Sequence, residues 1–236
     1  MIKRLFTLTI MMCILLVSST LSFASSHHYY TSQKFSNGKT AKYVLLNLNA
    51  TDISPAMGLA NNKILAADSL QNIVNTRAIE GKKAFAAVNG TYFSAYNGVP
   101  VPYGTIIDKG KLLHIGNYGA VLGITKDKKL VIDNLKIEIT GSIDGVENQY
   151  YTWGINHPRT EPDAIMIFTP DFAGSTQMPD AQNVIVRNGK VTQKNSGNTA
   201  IPNDGFVISF NPSMHYLMER FNIGSTVDYT PEFRSK

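Results

Sequence analysis

Cysteine is nearly absent. The one Cys among 236 residues, Cys13, lies in an apolar run near the N-terminus. Disulfide staples, cysteine metal ligands and a cysteine nucleophile are therefore excluded from everything downstream. Histidine is scarce as well. His27, His28, His114, His157 and His215 share no ligand spacing, so no zinc site is expected. The chain has no Asp-x-Asx-x-Asx-Gly loop for calcium, no phosphate-binding Gly-x-x-x-x-Gly-Lys segment, no Gly-x-Ser-x-Gly elbow and no His-Glu-x-x-His. No metal or cofactor is expected on these grounds. Runs of one charge are missing too. The formal charge is +5, or +3 once Lys3 and Arg4 are set aside, and the positives are scattered. That argues against nucleic acid as a partner and suits an anionic glycan or phosphate.

What is present begins with an export signal. Lys3 and Arg4 precede an apolar stretch from Leu5 to Leu21, and Ser22-Phe23-Ala24 supplies small residues at the −3 and −1 positions of a cleavage site. An uncleaved anchor is the competing reading, since roughly 17 apolar residues reach the lower spanning length. Cleavage after Ala24 leaves 236 − 24 = 212 residues, secreted or held at the cell envelope without a stable membrane anchor. Residues 25–41 read as a flexible lead-in, and 42–236 as a single domain long enough for a real core.

The pattern downstream is α+β, with mostly antiparallel or mixed sheet, β-hairpins and one main helix packed on the sheet. The helix is expected at about Asp68 to Glu80, capped by Asp68 or Ser69 and stopped by Gly81. Strands are expected at Lys42–Asn49, Leu135–Thr140, Ala164–Phe168 and Phe206–Phe210. Hairpins are expected at Gly104–Ile115, Ala120–Asp133 and Asn183–Gln193, the last turning on Asn188-Gly189. A second short helix is expected at Ser213–Phe221.

Between these elements lie segments of unusual composition. Ala84–Phe93 reads AFAAVNGTYF, small apolar residues running into Asn89-Gly90 and then two rings. Pro102-Tyr103-Gly104 follows. Later come Trp153-Gly154-Ile155-Asn156-His157-Pro158-Arg159, Phe168-Thr169-Pro170-Asp171-Phe172 before Ser175-Thr176, Val186–Val191, and Ile201–Ile208. In this order the segments resemble the secreted phosphodiester glycosidase family, over roughly Lys42 to Phe210. The family's N-G-G-[YF]-F stretch is matched by Asn89 to Phe93, with Thr91 in place of the second Gly, and its Pro/Gly segment by Gly104 to Lys111. The family's further "G-G-P-x-L-V", "R-T-A-I-G" and "N-L-D-G-G-G-S" segments do not occur in this sequence. The resemblance thus implies a shortened relative or a truncated product.

The resemblance implies cleavage of a sugar-1-phosphodiester in a wall or exopolysaccharide-type glycan. Such a reaction passes through an oxocarbenium-like transition state that a carboxylate stabilises or attacks. Phosphate leaves readily, so a fixed arginine matters more than a strong general acid. Asp171 is the candidate carboxylate and His157 the candidate acid/base, each also readable as a structural loop residue. Arg159 is the candidate phosphate ligand, or an ordinary surface arginine. Asn89, Gly90, Tyr92, Gly104 and Asn156 complete the candidate substrate wall. Asn89 also reads as a turn residue, and Phe93 and Trp153 as core rings. Two other functions stay open: a binding module for anionic glycan without turnover, and an inactive remnant.

Overall fold

The computed structural model describes residues 28–77, 83–84, 86–94, 96, 98–116 and 120–235. The expected signal peptide lies outside the described residues, as do the expected last turn of the first helix and Phe85. The chain divides into two compact units, 1–55 and 56–236.

In the first unit β1 (His28–Lys34) pairs antiparallel with β2 (Thr40–Leu46). Asn37-Gly38 makes the turn, with Gly38 at φ +79° and the Phe35 amide donating to the Lys39 carbonyl. The expected lead-in is thus strand over His28–Lys34. Tyr and Thr favour extended backbone, and a partner strand with complementary register lies five residues downstream. The expected domain start at Lys42 falls inside β2.

The second unit contains two short α-helices and twelve strands among the described residues. The helix α1 spans Leu70–Thr76 and is followed by β3 (Ile106–Asp108), β4 (Lys111–His114), β5 (Val121–Ile124) and β6 (Leu130–Asp133). Next come β7 (Leu135–Ile143), β8 (Val146–Thr152), β9 (Gly154–Ile155), β10 (Met166–Phe168), β11 (Gln182–Arg187), β12 (Lys190–Ser196) and β13 (Gly205–Phe210). A short helix α2 (His215–Met218) precedes β14 (Val227–Ser235). The fold is α+β with mostly antiparallel sheet, as the residue pattern requires. The three expected hairpins are β3–β4, β5–β6 and β11–β12. The first and last turn where Lys109-Gly110 and Asn188-Gly189 adopt positive φ at both positions, the backbone whose twist suits a two-residue hairpin.

The centre is a five-stranded sheet in the order β12-β11-β13-β10-β9, with only the β9–β10 pair parallel. The inner strands β10, β11 and β13 are buried on both faces, so both faces of the sheet centre must be covered. Ile155, Ile167, Val184, Val186, Ile208 and Phe210 face a cluster completed by Ile139, Ile143 and Tyr150 of the three-stranded sheet β14-β7-β8, with Phe221 and Val227. Met166, Phe168, Ile185 and Val207 face the other way, onto Ile64, Ile106, Leu113 and Phe172. Each fully buried Phe or Ile contributes about 2 kcal/mol from lost apolar surface, so this two-sided sheet carries most of the stability. At Gly205 a Cβ would stand 1.8 Å from the Val186 carbonyl oxygen, so only glycine fits beside β11.

Helix α1 departs from expectation. Ser69 caps it, its Oγ accepting from the Asn72 amide at 3.1 Å, but none of its residues is buried. Only Ile73 and Val74 are half-buried, because Gln71, Asn72, Asn75 and Thr76 leave too narrow an apolar stripe to seat it on a sheet. Arg77 ties its end down, donating from Nε to the Met57 carbonyl and pairing with Asp108 at 3.1 Å.

Candidate functional site

The Ala86–Gly90 stretch is exposed throughout and forms no strand, and Val88 retains 85% of its surface. Tyr92 is 86% exposed, as a sugar-stacking ring would be. Phe93 is 46% exposed and so is not the core ring expected, and Trp153, at 66%, is not one either. Both rings sit at the edge of covered structure, where nothing among the described residues closes over them.

What holds the strip is a short run of pairing with the chain a few residues on. Phe93 bridges Pro102. The Tyr103 amide donates to the Tyr92 carbonyl at 2.8 Å, and the Ser94 amide to the Val101 carbonyl at 2.9 Å. Thr91 then has a specific use: its Oγ1 accepts from the Gly104 amide at 2.8 Å. A Cβ at Gly104 would stand 2.6 Å from that same oxygen, so the hydroxyl and the glycine require each other.

Behind the strip lies a buried polar chain. His114, at the end of β4, has no exposed surface. Its Nε2 stands 2.9 Å from the Pro102 carbonyl oxygen and its Nδ1 2.7 Å from that of Asn156. Burial pulls its pKa down from 6.5 to about 4, against the two carbonyls, which favour the charged ring. The His157 ring stacks on it at 5.2 Å.

Asn156 is fully buried with φ +53°, a left-handed conformation that Asn tolerates better than most residues. Its Nδ2 donates to the Leu113 carbonyl and to Thr169 Oγ1, both at 2.7 Å, and its Oδ1 accepts from the Thr169 amide at 2.7 Å. Thr169 Oγ1 donates in turn to Asp171 at 3.0 Å. Asp171 also meets Lys111 Nζ at 2.6 Å, and its carbonyl accepts from the Ile64 amide. Lys63 Nζ donates to the Pro170 carbonyl beside it.

The expected site residues thus fall into three groups. Asn89, Gly90 and Tyr92 share one exposed strip, to which the half-buried Gly104 is tied through Thr91. Asp171 joins that strip indirectly, through Thr169, Asn156 and His114. Asn156 is the frame of this chain rather than a surface that meets ligand, because its donors and its acceptor are all engaged by protein groups. His157 stacks on His114 but directs its Nδ1 to the Pro158 carbonyl at 2.6 Å. Arg159 turns elsewhere: its Nε donates to the Ala164 carbonyl at 2.9 Å and a terminal nitrogen to Ser209 Oγ at 3.0 Å. It has no carboxylate partner among the described residues, and burial lowers its pKa. Sequence reasoning passed over His114, Lys111 and Thr169. His114 holds two backbone carbonyls, which any residue type supplies, so no side-chain motif marks it.

Among the described residues no group of three or more His, Cys, Asp or Glu is placed to hold a metal ion, and no helix is long and apolar enough to cross a membrane.

No protein-family model matches the chain, and no curated protein matches it. Solved structures do. A hypothetical protein from Synechocystis superposes with a TM-score of 0.67 over 86% of this chain at 17% identity. A protein from Burkholderia pseudomallei K96243, assigned as exported and without a stated activity, superposes with a TM-score of 0.51 over 63% of this chain at 16% identity. At such identities the likeness is one of fold. The chain spans 38% and 37% of the length of these two proteins.

Proposed function

We propose that this chain is an exported protein of phosphodiester glycosidase type, acting on a sugar-1-phosphodiester in an envelope or extracellular glycan. The observation that carries the reading is the contiguity of the strip and the buried chain behind it. The segments that resemble the family, Asn89–Phe93, Pro102–Gly104, Asn156–His157 and Thr169–Asp171, are far apart in sequence and are linked by successive hydrogen bonds. Tyr92 offers an exposed ring to a sugar face and Asn89 an exposed amide to its hydroxyls. Asp171, half-buried and oriented by Thr169, is the carboxylate available to an oxocarbenium-like centre. Export fits the sequence's N-terminal signal and the exported assignment of the Burkholderia neighbour.

The test is release of free sugar from a nitrophenyl-linked sugar-1-phosphodiester by the purified chain, with Asp171→Asn alongside. Release that disappears in the variant supports the reading, and absence of release above buffer removes hydrolysis from it. A second reading, glycan binding without turnover, is favoured by one observation: Asp171 is already neutralised by Lys111 at 2.6 Å. Binding that weakens with salt while no sugar is released would select it.

A further inference from the structure

The two contacts of His114 cannot both be satisfied by a neutral ring. Its nitrogens lie 2.7 and 2.9 Å from two carbonyl oxygens, which only accept. Neutral imidazole carries a single N–H, so one nitrogen then presents a lone pair to an oxygen. The imidazolium, with N–H at both positions, satisfies both. The two carbonyls belong to different parts of the site. Pro102 bridges Phe93 in the exposed strip, whereas Asn156 is the buried frame leading to Thr169 and Asp171.

We propose that His114 is a proton-operated latch: the charged ring ties the Pro102–Gly104 strip to the Asn156 turn, and the neutral ring keeps Asn156 and releases Pro102. The neutral ring keeps Asn156 because that contact is the shorter and because Asn156 is fixed by Leu113 and Thr169. The strip yields because its pairing is short and its outer face is open. Among the described residues His157 is the one titratable group stacked on the ring. A charge on His157 opposes protonation of His114 and so works, with burial, against the closed latch. Asp171 and Lys111 pair with each other and reach His114 only through Thr169 and Asn156.

Burial works against the closed form, pulling His114 to about 4, so the latch closes only in acidic surroundings. This gives two trends of opposite sign. As pH falls the whole fold loses the stability that came from burying a neutral ring, while the strip gains a hydrogen bond. A buried histidine with no coupling to the strip would show the first trend alone. The consequence for ligand rests on the proposed function: a closed latch presents a more ordered strip and tightens its grip on a sugar phosphodiester.

The test is NMR of the 15N-labelled full chain from pH 8 to pH 3.5, reading the His114 ring nitrogens and the exchange protection of the Ser94, Tyr103 and Gly104 amides. At neutral pH the proton is expected on Nδ1. Through the ring's titration the three amides should gain about tenfold in protection, the worth of one hydrogen bond. In His114→Gln, which cannot span both carbonyls with two donors in line, the gain should vanish. Should that variant not fold, the wild-type ring nitrogens and amides decide the matter. A neutral ring protonated at Nε2, or protection unchanged through the titration, overturns the latch. A nitrophenyl sugar-1-phosphodiester added at each pH separates the two proposals. Failure to bind at any pH, with the amide response intact, leaves the latch standing and removes the sugar-phosphate reading.

Discussion

Replacing Asn156 is the perturbation with the most calculable outcome. The side chain makes three hydrogen bonds in full burial, two from Nδ2 and one to Oδ1. In Asn156→Ala the Leu113 carbonyl and the Thr169 amide both lose this partner inside the protein. Each such group costs about 1–3 kcal/mol when left unpaired, so the two together cost about 4 kcal/mol. The backbone adds to this, since Asn156 sits at φ +53°, where alanine is disfavoured by about 1 kcal/mol and glycine is not. Asn156→Gly should therefore lose about 4 kcal/mol and Asn156→Ala about 5 kcal/mol. For a domain of this size 1 kcal/mol corresponds to about 3 °C in Tm, so the two should melt about 12 and 15 °C below the wild type. Urea and thermal unfolding followed by circular dichroism would measure both. A loss below 1 kcal/mol in either variant, or alanine as tolerable as glycine, would refute the reasoning. It would mean that Asn156 is free to meet a ligand rather than committed to the frame.

His114 makes stability depend on pH. Its folded value is lowered from 6.5 to about 4, so the unfolded chain binds the proton more readily. The contribution is whole above about pH 6.5, falls as pH drops towards 4, and amounts to about 3 kcal/mol, to be read from urea midpoints across that range and lost in His114→Gln. Lys111→Met removes a pair whose lysine is mostly exposed, so stability should change by only about 0.5 kcal/mol, measured by the same unfolding curves. Gly205→Ala drives a methyl into the Val186 carbonyl and should cost at least about 3 kcal/mol, with loss of cooperative melting as the visible outcome.

The fold was legible where residue type decides it. Asn188-Gly189 and the β-favouring apolar residues before it define a hairpin that needs no other information, and FVISF reads as a strand from its apolar run. The strands that escaped notice are those decided by partners. β14 carries a proline and charges, and it is a strand because β7 lies beside it along its whole length. β1 escaped because its polar composition resembles a terminus. Helix α1 was legible in its cap but not in its packing, since a seat on a sheet depends on a wide apolar stripe that Gln71, Asn72 and Asn75 interrupt. The sequence expected Asn89 and Tyr92 to face outward, and both are exposed. The link through His114 could not be read, because backbone carbonyls leave no trace in sequence. Phe93 and Trp153 misled because a ring is core only if something covers it, and that depends on neighbours far along the chain.

The central claim is that the strip and the Asp171 loop together receive a sugar-1-phosphodiester. The most direct measurement is a 15N NMR titration of the purified chain with a nitrophenyl sugar-1-phosphodiester. The account predicts saturable shifts confined to the amides of Asn89, Gly90, Tyr92, Gly104 and Asp171, abolished together by Asn89→Ala with Tyr92→Ala. Shifts centred elsewhere, or none at saturating probe, would contradict it.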